Sequence, residues 1–444
     1  MFVDDANLND QIPPEEIPFM HYGIINQHNY SKIEDVPIKR WDPLTFNPII
    51  LSNSGHSIEL SKTYGHYSYI SPIRAVRPVE RKKKSEDNAE GERDKEYMGS
   101  VDDIESERNI GELLDIFEPM VNGEHYIFNS GRKVAPAHTL ILADGSKRMD
   151  DPFSENVRIY RNLKGRAMSM INKYPAMVRV IDDEIKPRVN KELREMDMHA
   201  KIAQGVCFLT IPRHYHENIE DMTVEELTDF FITTQTAINY VIETVREKRD
   251  MVIPISPFFN VGKAVGGSLR RLHMQVYMDL TEDGHGSRME SILKAFANME
   301  KKQYCHICKS NHGDGRRVII ENEDWTVFAT NSPIRNYHLR FAPKRHIEKL
   351  EDVSMHEFRA LAKILTITSM VLNDLGVNPN RNIIFNTRPH GYKSYFHLFG
   401  EILPFENIGG AEMADDMRVV RISPQIFAAD AKKIITEKKY EKLL

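Results

Sequence analysis

Two stretches carry the clearest alternation of apolar and polar positions. From Thr223 to about Glu247 (TVEELTDFFITTQTAINYVIETVRE) apolar residues return every three or four positions, the spacing of one helix face. Thr223 and Glu226 open it at capping-box spacing. Ser354 to about Leu375 (SMHEFRALAKILTITSMVLNDL) repeats the pattern with Ser354 and Glu357, and Gly376 follows as a C-cap. Ahead of the first helix the apolar run GVCFLTI reads as a strand, with Cys207 an inert core thiol. Behind each helix lies an extended segment carrying a histidine, SLRRLHMQVYMDL (268–280) and SYFHLFGEILPF (394–405).

These elements repeat. IPRHYHENIEDMTVEEL (211–227) aligns without gaps on APKRHIEKLEDVSMHEF (342–358) at an offset of 131, and the histidine-bearing segments align at an offset of 126. Pro212 meets Pro343, Glu226 meets Glu357, His273 meets Phe399 and Gln275 meets Glu401. A shared order of strand, turn, capped helix and strand predicts a duplicated α+β unit, each copy an antiparallel sheet with helices on one face. The expected organisation is an arm over 1–35, a first domain over 36–300 with an insertion at about 79–155, and a second domain over 301–444.

Composition changes this picture little. The 444 residues suit two or three domains, and 41% hydrophobic with 28% charged residues excludes a disordered or collagenous chain. Lys and Arg number 59 against 65 Asp and Glu, so bulk charge gives no support to nucleic-acid binding. ERKKKSEDNAEGERDKE (80–96) has 13 charged residues in 17, too polar to bury a core, and reads as a solvated loop. LAKILTITSMVL (361–372) is too short and interrupted to span a bilayer, and the acidic start MFVDDANLNDQ is not a secretory signal. Three cysteines, two of them in a C-x-x-C pair, point to a reducing compartment, and the expected location is the cytoplasm.

The chemistry concentrates in FFNVGKAVGGSLRRLHMQVYMD (258–279). Gly262, Gly266 and Gly267 free the backbone for close approach to a phosphate. His273 and Gln275 stand two apart on an extended segment and so share a face. An imidazole can attack phosphorus, and an amide can hydrogen-bond the phosphoryl oxygens. A glycine loop beside a buried structural histidine fits the same spacing. Cys305-His306-Ile307-Cys308 is a knuckle that could supply two of four zinc ligands. His214 and His216 (PRHYHE) feed a capped helix and read as surface histidines rather than a metal pair.

Four further segments make the reading more specific. RWDPLT (40–45), SPIRAVRP (71–78), INKYPAM (171–177) and FNVGKAVGGSLRRLHMQ (259–275) resemble, in order, the motifs of the galactose-1-phosphate uridylyltransferase family of the histidine-triad (HIT) superfamily. The resemblance implies two tandem HIT-like α+β domains and a ping-pong nucleotidyltransferase. Within it His273 falls on the nucleophile that becomes nucleotidyl-histidine, and Gln275 on the glutamine holding the phosphate. Gly266 and Ser268 fall on the contacting loop, Arg74 and Arg77 on phosphate-binding arginines, and Asn172 and Asn260 on nucleotide contacts. Arg271 replaces the first histidine of the family's H-P-H and adds charge near the phosphates. Glu412, in GGAEM, retains a sugar-binding position although Ala411 replaces its aromatic neighbour. No cysteine precedes Cys207, so the first domain should lack the family's zinc. The second should hold it on Cys305, Cys308, His346 and His397, with His312 a rival ligand, while Phe399 leaves that domain without a nucleophile.

The expected substrates are a nucleotide sugar and a sugar 1-phosphate, with UDP-glucose and galactose 1-phosphate leading and a homodimer as the assembly. A phosphorylase or adenylyltransferase acting on nucleotide sugars or dinucleoside polyphosphates is the nearest alternative. A non-catalytic nucleotide-binding protein is a second.

Overall fold

The computed structural model describes residues 24–25, 36–42, 66–72, 74, 126–127, 133–134, 139–142, 166–172, 175–177, 180–181, 186–244, 252–281, 286–313, 315–393, 395–415 and 417–444. Most of the expected arm and charged insertion, and Arg77, therefore lie outside the described residues.

The N-terminal part contributes short strands: β1 (Ile24–Ile25), β2 (Ile38–Trp41), β3 (Tyr67–Ile70), β4 (Tyr126–Ile127), β5 (Lys133–Val134), β6 (Thr139–Leu142), β7 (Ala167–Ile171), β8 (Val180–Ile181) and β9 (Ala200–Ile202), with helix α1 (Lys186–Met196) before β9. The first repeat is β10 (Gly205–Pro212), α2 (Val224–Thr244), β11 (Ile255–Val261) and β12 (Met274–Asp279). Helices α3 (Ser287–Lys301) and α4 (His306–Gly313) lead to β13 (Val318–Glu321) and β14 (Trp325–Ala329). The second repeat is β15 (Leu339–Pro343), α5 (Met355–Asp374), β16 (Arg381–Asn386) and β17 (Phe399–Pro404), followed by α6 (Gly410–Asp415) and α7 (Pro424–Lys438).

The duplication is visible in the sheet. Ten strands run in the order β13-β14-β15-β17-β16-β11-β12-β10-β7-β6, a mirror-ordered arrangement about the β16–β11 seam. Across the seam Phe258 pairs with Ile384 and Asn260 with Asn382, antiparallel. The two repeats thus share one hydrogen-bonded sheet. Strands β2, β3 and β9 form a separate three-stranded sheet.

Both helix starts are the capping boxes expected from sequence. Thr223 N–H donates to Glu226 Oε2 at 2.9 Å and Glu226 N–H returns to Thr223 Oγ1 at 3.2 Å. Ser354 and Glu357 do the same at 2.8 and 3.2 Å. The second helix ends as a Schellman motif: Gly376 N–H donates to Asn373 O, Val377 N–H to Leu372 O, and Gly376 sits at φ 69°. Helices α2 and α5 lie on one face of the sheet, where Phe231 stacks on Phe358 with centroids 5.7 Å apart and Phe230 on Phe259 at 5.5 Å. Burying such aromatic pairs with Leu361, Ile364 and Leu365 supplies the main core. Among the described residues no helix is long and apolar enough to cross a membrane.

The opposite face differs between the two halves. Over the second repeat, α3 and the cysteine knuckle bury Phe296, Phe396 and Phe399. Over the first repeat, Ala176, Met177, Ala203 and Cys207 form a small cluster beneath Tyr69 and Tyr277.

Candidate active site and metal centre

Strand alternation sorts β12 into two sets. Met274, Val276 and Met278 enter the core under the helices, so Gln275, Tyr277 and Asp279 point to the other face, with His273 just ahead of them. In register, Gln275 stands between Leu209 of β10 and Phe258 of β11, and Tyr277 between Cys207 and Ser256. His273 is 7% exposed, and its Nδ1 lies 2.8 Å from the carbonyl oxygen of Arg271. A carbonyl only accepts, so Nδ1 carries a hydrogen, and in the neutral ring the lone pair falls on Nε2, the tautomer a nucleophilic imidazole requires. Tyr277 Oη lies 3.5 Å from Gln275 Oε1, which turns the amide NH₂ the other way.

The glycine loop beside these residues is held from both repeats. Gly262 and Gly266 each have φ 91°, a region closed to most side chains. A Cβ on Gly267 would stand 2.7 Å from the carbonyl oxygens of Asn260 and Gly262. Asn380 Oδ1 accepts from Ala264 N–H at 3.1 Å, and Asn382 Nδ2 donates to Asn260 Oδ1 at 2.8 Å and to Val265 O at 3.4 Å. Asn260 thus lies beside the loop, and its carbonyl oxygen accepts from Asn382, a residue of the second repeat that sequence reasoning missed. Ser268 is half-buried on the same loop.

Two motifs 100 residues apart in sequence meet at the other end of the face. Ser71 Oγ donates to Pro175 O at 2.7 Å, joining SPIR to the NKYPAM segment. Asn172 is buried and its N–H donates to Cys207 O at 2.8 Å. Arg74 follows Ser71 in a tight turn, its N–H donating to Ser71 O, and its charge reaches Cys207, the strand partner of Tyr277. Burial pushes the Cys207 thiol up to about 12, so it is an inert core thiol as expected.

Arg271 has a placement its motif did not suggest. It is 1% exposed, and its Nη2 donates to the carbonyls of Pro212 and Arg213 at 2.7 and 2.5 Å. These bonds tie the histidine segment to the end of β10. Glu412 lies on α6, where Oε2 accepts from Gly409 N–H at 2.8 Å and Oε1 stands 4.0 Å from Arg335 and Arg418.

A buried ion pair, also missed, closes the far end of β12. Lys39, fully buried on β2, donates to Asp279 Oδ2 at 2.9 Å and Thr281 Oγ1 at 3.1 Å, with its ammonium 4.0 Å from the Tyr67 ring centroid. Tyr69 and Thr281 hydroxyls also bond Asp279. The signal was available: His273, Gln275, Tyr277 and Asp279 are alternate polar positions on one strand.

The second repeat assembles the other site. Cys305 Sγ lies 3.3 Å from His397 Nδ1, and Cys308 Sγ 3.3 Å from His346 Nδ1 and 3.4 Å from His397 Nδ1. All four ligand atoms lie within 4.8 Å of one another. Tetrahedral zinc with ordinary Zn–S and Zn–N bonds sets sulfur and nitrogen about 3.5 Å apart, so this donor set fits the ion. His397 Nε2 lies 3.2 Å from Pro343 O, which fixes the tautomer that aims the Nδ1 lone pair at the thiols. Burial opposes ionisation of Cys305, but His346 and His397 bring its thiol down to about 4. His312 is on α4, its side chain outside the described residues, and it is not among the four clustered ligands.

Where the first repeat presents His273 and Gln275, the second presents Phe399 and Glu401. Glu401 is fully buried, 3.2 Å from both His338 Nε2 and Arg340 Nε, with Arg288 and Asn386 also on its carboxylate. Burial raises its pKa, but these partners hold it well below the usual carboxylate range. It is an internal ion-pair hub.

Comparison with known proteins agrees with this architecture. The HIT domain profile matches residues 314–406. An uncharacterized HIT-like protein of Chlamydia muridarum is 31% identical over 85 residues, covering 19% of this chain and 68% of that protein. The chain belongs to the HIT-like family. Within it, the galactose-1-phosphate uridylyltransferase of Thermotoga maritima is 30% identical over 124 residues, 28% of this chain and 38% of that enzyme. A solved uridylyltransferase mutant shares the fold at TM-score 0.53 and 19% identity, covering 62% of this chain and 90% of its own. An ADP-glucose phosphorylase of Arabidopsis thaliana, solved with ADP-glucose, does so at 0.52 and 18%, covering 67% and 86%.

Proposed function

We propose that the chain is a nucleotidyltransferase that works through a covalent nucleotidyl-histidine at His273, taking its nucleotide from a nucleoside diphosphate sugar. The observation that supports this is the imidazole itself: Nδ1–H donates to Arg271 O, which in the neutral ring puts the nucleophilic lone pair on Nε2, and Gln275 shares the face. Attack of Nε2 on the α-phosphorus expels a sugar 1-phosphate, and a second sugar 1-phosphate then takes the nucleotidyl group. The Arg271 carbonyl stabilises the imidazolium character that develops on Nδ1–H, and the Gln275 NH₂ donates to a phosphoryl oxygen. Gly266 and Ser268 shape the phosphate loop, Asn172 and Asn260 contact the nucleotide, and Arg74 with Arg77 binds phosphate. Arg271 acts as a positioning residue for His273. Glu412 contacts the sugar.

The leading substrates are UDP-glucose and galactose 1-phosphate, supported by the family resemblance of the four motifs. The same reading gives a first, catalytic domain over 36–300, a zinc-binding second domain over 301–444, and a cytoplasmic homodimer. Zinc on Cys305, Cys308, His346 and His397 would brace the second repeat and supply no step of the reaction. Intact-mass spectrometry after incubation with UDP-glucose or ADP-glucose, without acceptor, tests the mechanism. One acid-labile nucleotidyl adduct, absent in His273→Asn, is expected and names the base. An ADP-glucose adduct alone would replace the uridylyl reading with the phosphorylase or adenylyl one. No adduct with either donor would overturn the nucleotide-sugar reading.

A further inference from the structure

The loop that enters α2 carries a cluster the proposed reaction does not use. His214 Nδ1 lies 2.6 Å from Glu226 Oε1, and His216 Nε2 lies 3.4 Å from the same oxygen. The three ligand atoms all lie within 4.8 Å of one another. The surface expectation for this pair holds for His214, whose side chain is 67% exposed, but not for His216 at 15%. Glu226 is buried and rigid, because Oε2 accepts from both Thr223 N–H and Thr223 Oγ1 at 2.9 Å. Oε1 is thereby presented to the imidazoles, the kind of support a ligating carboxylate ordinarily receives.

The other repeat shows what this position demands. There the matching carboxylate, Glu357, is met by Arg345, whose Nε and Nη2 donate to its two oxygens at 2.8 and 2.9 Å. Arg345 aligns with His214 at the repeat offset of 131. A permanent cation in one copy is replaced by two imidazoles in the other, and imidazoles with a carboxylate satisfy the same demand by holding a metal ion. We propose that His214, His216 and Glu226 form a second, thiol-free site for a borderline divalent cation, Zn²⁺ first, with an open position for water. Two imidazoles and a carboxylate are an established three-ligand set for such ions. Ligand atoms on zinc stand about 3.3 Å apart, so the present spacing needs only a small swing of the exposed His214 ring.

The site is separate from the cysteine knuckle, and the position matching the ligand His346 is Tyr215 in this repeat. It braces a loop that in turn holds the histidine segment: His216 O accepts from Leu272 N–H at 2.7 Å, and Pro212 and Arg213 carbonyls accept from Arg271.

The test compares the wild-type chain with His214→Arg, which installs the guanidinium of the other repeat and so preserves the contact to the carboxylate. Both are loaded with ZnCl₂, desalted and measured by ICP-MS, then substituted with Co²⁺. The expected result is one zinc fewer per chain in H214R, and loss of a visible cobalt band with the thiolate-to-cobalt charge-transfer band unchanged. Equal zinc content and identical cobalt spectra would overturn the proposal. Should H214R fail to fold by circular dichroism, His216→Asn decides by the same two readouts.

Discussion

Replacing Lys39 by Met should reveal how strongly β2 is tied to β12, the strand that follows His273. The ammonium is fully buried 2.9 Å from Asp279 Oδ2, so at an effective dielectric near 20 the pair attracts by about 6 kcal/mol. Desolvation of both ions offsets much of this, and the net worth of the intact pair is small. Removal of one partner is different. Asp279 would keep its bonds to Tyr69 and Thr281 but lose its counter-charge, and breaking a buried pair in this way costs about 3–5 kcal/mol. Burial raises the pKa of Asp279 and Lys39 overcomes that, so K39M should also move this carboxyl upward. Urea denaturation of K39M, Asp279→Asn and the double variant measures the coupling. The double variant should lose at least about 2 kcal/mol less than the two singles together. Additivity to within about 0.5 kcal/mol would refute the account, because uncoupled sites behave that way.

Other outcomes follow from the same structure. Gly267→Ala puts a methyl 2.7 Å from two backbone oxygens, and should cost about 1–3 kcal/mol with a parallel fall in adduct formation, read by mass spectrometry. Asn382→Ala removes donors to Asn260 and Val265 and should slow nucleotidyl transfer while leaving zinc content unchanged, measured by stopped assay and ICP-MS. Cys305→Ser should lose one zinc and lower the melting temperature; unchanged zinc content would sink the metal assignment. Burial raises the pKa of Glu357, but Arg345 and the Ser354 cap bring it down to about 2. Its folded value is below the unfolded one near 4.3, so its contribution is present above about pH 4.3 and is lost as pH falls towards 2. Glu357→Gln should flatten that part of the acid denaturation curve.

The two helices, their caps and the repeat could be read directly from sequence, because a 3.6-residue period and Ser/Thr-x-x-Glu spacing are local signals. The Cys/His cluster was equally readable, two residues from a C-x-x-C knuckle and two from resemblance, and the structure brings all four together. The seam was not, since β11–β16 pairing is decided by main-chain hydrogen bonds between segments 120–126 residues apart. Arg271 shows another limit: nothing in its motif reveals that its Nη2 donates to the carbonyls of Pro212 and Arg213. Lys39 was overlooked because a lysine in a polar stretch gives no hint of total burial.

The sheet that passes from β11 to β16 also constrains how the two copies could diverge. Detached after residue 300, the first copy would carry β11 as an exposed edge, seven residues of main-chain donors and acceptors open to pairing with any other chain. Its glycine loop would lose Asn380 and Asn382 at the same cut. The second copy, which carries Phe399 where the first carries His273, is thereby the missing border of its neighbour and the mould of its glycine loop.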